Sequence, residues 1–109
     1  MNNKIRFTYD GIDYVLEYTR RSISTMEERG FVITDVNKKP MSSLPKMFAG
    51  AFLANHRHTK QETIDTIYSK MKDKESLFEK LTSMYTEAIE ALMDEPEDNE
   101  GNIQWEAGL

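Results

Sequence analysis

The stretch "AFLANHRHTKQETID", residues 51–65, holds both histidines of the chain, His56 and His58, with Arg57 between them. Three chemistries suit that triplet: half of a metal site, an anion clamp, or a polar junction between two helices. Side chains two positions apart diverge on a helix and share a face only on a strand. The chain has no third histidine and no cysteine, and neither histidine follows a glutamate at the Glu-x-x-His spacing of carboxylate metal sites. The reading favoured is therefore a junction that ends one helix and starts the next. Nucleophilic catalysis finds no G-x-S-x-G motif, and the five glycines are scattered singly, which leaves no phosphate-binding loop. Glu87, Glu90, Asp94 and Glu95 read as a solvated acidic surface rather than a catalytic pair. No enzyme is expected, and no cofactor.

The elements around this stretch are legible from periodicity. "KIRFTYDGIDYVLEYT" places Ile5, Phe7 and Tyr9 on one face, then resumes after Asp10-Gly11 with Ile12, Tyr14, Leu16 and Tyr18. Asp-Gly between alternating runs predicts a β-hairpin, because the tight primed turn needs positive φ. Ser22 is read as the cap of a short helix through Met26, ended by Gly30. Phe31 to Val36 is read as a third strand in preference to an extended connection, and Asn37 to Pro40 as a turn. From Ser43, Leu44, Met47, Phe48, Ala51 and Phe52 form one helical stripe, with Pro45 in the first turn and Gly50 marking either a close helix contact or a tolerated imperfection. Thr59 and Glu62 have the spacing of a capping box before a helix carrying Ile64, Ile67, Tyr68 and Met71. Asp73 is the expected cap of a last helix, with Leu77, Phe78, Leu81, Met84, Tyr85, Ala88, Ile89 and Leu92 along one side. The expected fold is α+β: an N-terminal hairpin with room for a third strand, then three to four helices, over residues 1–93. Pro96 ends helical structure, and residues 94–109 form an acidic, flexible tail.

Charge sharpens that division. Of a net −5, the last sixteen residues hold six acids and no base, whereas the preceding 93 carry 14 bases and 13 acids. Runs of like charge stay solvated and commonly serve as interaction tails. No basic stripe capable of neutralising phosphates is visible, which disfavours nucleic acid as a partner. No run reaches the ~18 apolar residues of a membrane span, and the N-terminus lacks the apolar core of a signal peptide. A cytoplasmic protein is expected.

Binding surfaces remain. Met47, Met71 and Met84 lie on apolar helical faces beside aromatics, where they fill a core or adapt to a partner's surface. A chain this short buries only about two-thirds of its surface, so burial shared with a partner or a second copy is expected. Trp105, the single tryptophan, sits with Ile103 in acidic sequence; it is either docked on the body or a neighbouring subunit, or an anchor for a partner.

The hairpin "IRFTYDGIDYVLEYT", the run "LPKMFAGAFLANHRHTKQETIDTIYSKM" and the ending "LFEKLTSMYTEAIEALMDEPEDNEGNIQWE" together resemble the tail assembly chaperones of long-tailed phages and prophages of Gram-positive bacteria. The resemblance spans Ile5 to Trp105 and rests mostly on "F-x-x-A-F-x-A-N-H" with "T-x-x-E" behind it, and on the acidic "GNIQWE" ending. It implies a non-enzymatic protein of the bacterial host cytoplasm, often made also in a longer frameshifted form. Such a protein binds the tape-measure protein, keeps its apolar helices in solution, recruits subunits of the major tail protein and then departs. Its family defines no catalytic residues. The interface candidates are Phe48, Phe52, Ile64, Ile67, Tyr68, Leu81, Tyr85, Ile89, Ile103 and Trp105, some of which must instead be core. The alternative is a structural protein of the head–tail junction, or another small virion protein retained in the particle.

Overall fold

A computed structural model describes residues 3–93 and 103–108. The fold is α+β: an antiparallel hairpin, β1 (Ile5–Tyr9) and β2 (Ile12–Leu16), followed by helices α1 (Arg20–Glu28), α2 (Pro40–Gly50), α3 (Gln61–Lys70) and α4 (Lys74–Ala91). Asp10 and Gly11 take φ of 51° and 77°, the paired positive values of a primed two-residue turn. Register pairs Phe7 with Tyr14 and Ile5 with Leu16, so the alternating apolar face points at the helices. No helix among the described residues is long and apolar enough to cross a membrane.

Thr19, not Ser22, caps α1. Its hydroxyl accepts from the Ser22 N–H while the Ser22 hydroxyl accepts from the Thr19 N–H at 2.8 Å, a reciprocal box in which serine takes the position usually held by Glu. The helix ends as expected at Gly30, whose φ of 94° lets its N–H reach the Glu27 carbonyl and the Phe31 N–H reach that of Met26. This is a Schellman closure, and it turns Phe31 into the core against Tyr85, with ring centroids 5.5 Å apart.

The expected third strand does not form. Residues 33–35 make a short 3-10 turn, and Lys38 and Lys39 both donate to the Asp35 carbonyl. The Asp35 and Val36 N–H groups close i→i+3 bonds on the Val32 and Ile33 carbonyls, so the backbone is wound where it would have to be extended to pair. The helix after it starts at Pro40 rather than Ser43. Pro40 takes the favourable first position, which puts Pro45 inside the helix rather than in its first turn, so the Met41 carbonyl lacks its i+4 donor. Burial of Met47 and Phe48 on the same helix offsets that loss. Thr59 likewise does not cap α3: its N–H is drawn into a turn on the His56 carbonyl, and the helix starts after Lys60 with no side-chain cap. Asp73 does cap α4, in the left-handed region at φ 52°, accepting from the Ser76 N–H and hydroxyl. Those two hydrogen bonds hold its carboxyl below the usual carboxylate range.

Helix α2 touches α1, α3 and α4, and its apolar stripe is the middle of the core. Gly50 sits where α2 meets α1: a methyl group there would lie 2.6 Å from Met26 Cε, so the close-contact reading of this glycine holds. An aromatic relay runs from Phe7 through Tyr14, Phe52 and Phe48 to Tyr68, each ring 5.2–5.7 Å from the next, and ties the hairpin to α2 and α3. On the other side Tyr18 packs edge-on against Tyr85 and donates to the Met47 carbonyl at 2.6 Å.

Candidate interaction surface

The loop after α2 brings Ala51, Asn55 and His56 alongside β2. In this register Val15 opposes Arg6 at a position whose backbone groups face away from β1. The Val15 N–H donates to His56 Nε2 at 3.0 Å, and the Val15 carbonyl accepts from Asn55 Nδ2 at 3.1 Å. Two residues on, the Glu17 N–H donates to the Ala51 carbonyl at 3.2 Å. Three backbone groups of an exposed strand edge are thus served by a loop, two of them by side chains. Because Nε2 accepts, the imidazole proton belongs on Nδ1. The ring also lies 5.0 Å from that of Tyr14, half-buried. His56 is therefore a junction residue with a defined task. His58 and Arg57 are exposed. Among the described residues no group of three or more His, Asp or Glu side chains gathers as metal ligands would.

The interface candidates divide sharply. Phe48, Ile67, Leu81 and Tyr85 are sealed in the core, and Phe52 and Ile64, also buried, reach the surface only as lining of the recess described next; helical periodicity marks an apolar face without telling what covers it. Tyr68 and Ile89 are half-buried against that core, and Lys74 Nζ stands 5.2 Å over the Tyr68 ring. Ile103 and Trp105 lie in chain without helix or strand and are 88% and 81% exposed. Leu92 and Met93, just beyond α4, are exposed as well, and so are Val32 and Met41. Residues 94–102, which include five of the six tail acids and Pro96, lie outside the described residues in full.

Sequence reasoning missed a recess between α1, α2 and the start of α3. It encloses about 300 Å³ over an apolar floor that includes Met26, Phe52 and Ile64, and Arg29, Lys46 and Arg57 stand on its walls. Arg29, Leu53 and Arg57 also wall a neighbouring recess that adds Arg21 and His58. Neither is lined by a carboxylate. These cations are spread from residue 21 to residue 57 and come together only on folding, so no basic run betrays them in the sequence.

Fold and surface together define a small α+β domain with no metal-ligand cluster among its described residues, whose distinctive features are a buttressed hairpin, a cation-walled recess and exposed apolar side chains at residues 92–93, 103 and 105. The chain belongs to the family described as Domain of unknown function (DUF5055), whose model matches residues 1–109. No curated protein and no solved structure matches it.

Proposed function

We propose that this protein is a non-enzymatic tail assembly chaperone of a long-tailed phage or prophage, working in the host cytoplasm. Its client is the tape-measure protein, and it helps recruit subunits of the major tail protein. The observation that carries this reading, beside the sequence resemblance, is the apolar surface left uncovered at the C-terminal end. Leu92, Met93, Ile103 and Trp105 are all exposed although the core itself is closed. Flexible Met and large aromatic anchors in a polar, acidic setting suit a helical client that must be held and then released. The acids around them oppose self-aggregation.

Co-expression with the tape-measure protein of the same phage or prophage is the direct test. Soluble yield of the client rises and the two proteins co-purify; unchanged yield without co-purification overturns the proposal. Mass spectrometry of finished particles then finds the protein missing, whereas stoichiometric retention would mark a structural component of the head–tail junction.

A further inference from the structure

We infer that the cation-walled recess is the seat for the C-terminal segment of a second copy of this chain, with Trp105 as the inserted side chain. This inference stands apart from the identity of the client and concerns the protein without one. Four observations converge on it. The recess has apolar floor residues and three cations on its walls, Arg29, Lys46 and Arg57, none of which has a carboxylate partner among the described residues. The last sixteen residues offer the opposite: six acids, no base, and the two apolar side chains Ile103 and Trp105, spaced so that extended backbone places them on one side. The volume of about 300 Å³ accommodates an indole. Finally, Ile103 and Trp105 are exposed in their own chain, so the seat of that chain is open to another.

Physical reasons favour this occupant. An apolar recess rimmed by cations that have no carboxylate partner among the described residues discriminates against neutral helices, because a neutral partner leaves the guanidinium groups partly desolvated with nothing in return. An acidic strand bearing an aromatic satisfies both: the ring displaces water from the floor, and the flanking carboxylates meet Arg29 and Arg57 as charge-assisted hydrogen bonds. The contact is head-to-tail: groove and tail are different surfaces, so each copy offers one of each.

Trp105 is the single tryptophan, so its emission reports the contact alone. Two full-length variants split the halves of the interface. Arg29→Glu with Arg57→Glu keeps the tail and spoils the groove; Trp105→Ala keeps the groove and lacks the reporter. Titrating the Trp105→Ala protein into the charge-reversed one shifts the emission to the blue, with 1:1 stoichiometry, and the charge-reversed protein alone shows no shift at any concentration. In the unmodified protein the shift grows with concentration and recedes with salt, and Lys46→Glu weakens it by at least about tenfold. Circular dichroism confirms that each variant is folded, as expected for exposed positions. A blue shift independent of concentration would mean docking within one chain and overturns the inference. So does failure of the mixed titration, or self-association that survives Trp105→Ala.

Discussion

Two places in the chain carry side chains of the kind that meet an outside partner, the loop 51–58 and the described ends of the C-terminal segment, residues 92–93 and 103–105, and they face opposite ways. The first holds two histidines, an arginine and an asparagine, the richest chemistry in the chain. Yet Asn55 and His56 spend their polar atoms on Val15, and Phe52 lies inside the aromatic relay. The second lies in acidic sequence, but its described residues Leu92, Met93, Ile103 and Trp105 present large apolar groups to water. The lesson is one of need. A two-stranded sheet has an exposed edge that some group must satisfy or guard, and here the nearest loop supplies it. Nothing in the body needs Ile103 or Trp105, so they remain available.

The strongest way to break this contrast is to truncate Phe52. The side chain is fully buried between Tyr14 and Phe48, so Phe52→Ala removes its contacts and leaves a cavity. A loss of about 3–5 kcal/mol in unfolding free energy is expected from chemical denaturation. A value below about 1 kcal/mol would mean that residues 51–58 are not anchored inward.

A titration probes the same inward side. Burial raises the phenols of both Tyr18 and Tyr85, Tyr18 most, with Tyr85 adding to the effect on Tyr18 and Glu27 to that on Tyr85. The neutral phenols are thus favoured in the folded state, whereas in the unfolded chain they ionise near pH 10. Stability is fully present below about pH 10 and falls as pH rises beyond it. Tyr18→Phe should flatten that alkaline loss, measured by denaturation at pH 9 and pH 11, at the cost of the hydrogen bond to Met47.

His56 is the next test. His56→Leu leaves the Val15 N–H without an acceptor at a half-buried site, which costs about 1–3 kcal/mol. His56→Gln restores an acceptor and recovers part of the loss, an outcome that separates edge satisfaction from simple packing on Tyr14. Hydrogen exchange at the Val15 amide gives the local readout. Asn55→Ala, at an exposed position, costs less, under about 1 kcal/mol, although it removes contacts to both the Val15 carbonyl and Glu17.

The legibility of these features follows from how local their causes are. The hairpin is set by Asp10-Gly11 and alternation, the α1 stop by Gly30, and the α4 start by Asp73, and each depends on residues adjacent in sequence. Phe31 to Val36 is rich in β-branched residues, as strands are, but its own N–H groups close a 3-10 turn, and the outer edge of β2 is already served by Ala51, Asn55 and His56. The Thr59–Glu62 spacing is that of a capping box, yet the turn onto His56 holds Thr59 outside the helix. The capping pair Thr19–Ser22 was hidden because serine stands in for the usual glutamate. The recess was the least legible of all, since its cations come from α1, α2 and the following loop, and only their shared wall makes them a set.

The smallest stability effect belongs to Trp105. Its side chain is 81% exposed and lies outside the core cluster, so Trp105→Ala should change unfolding free energy by no more than about 0.5 kcal/mol. The same substitution should nevertheless abolish self-association and reduce recovery of the co-expressed client, because a large ring is the kind of anchor on which a small interface depends. Phe52→Ala gives the mirror image, with a large loss of stability and any binding defect explained by unfolding. If Trp105→Ala instead lowered stability by 2 kcal/mol or more, the ring would have to be packed against its own body. The contrast between an inward-facing loop and an outward-facing tail would then be lost, since both segments would serve the fold.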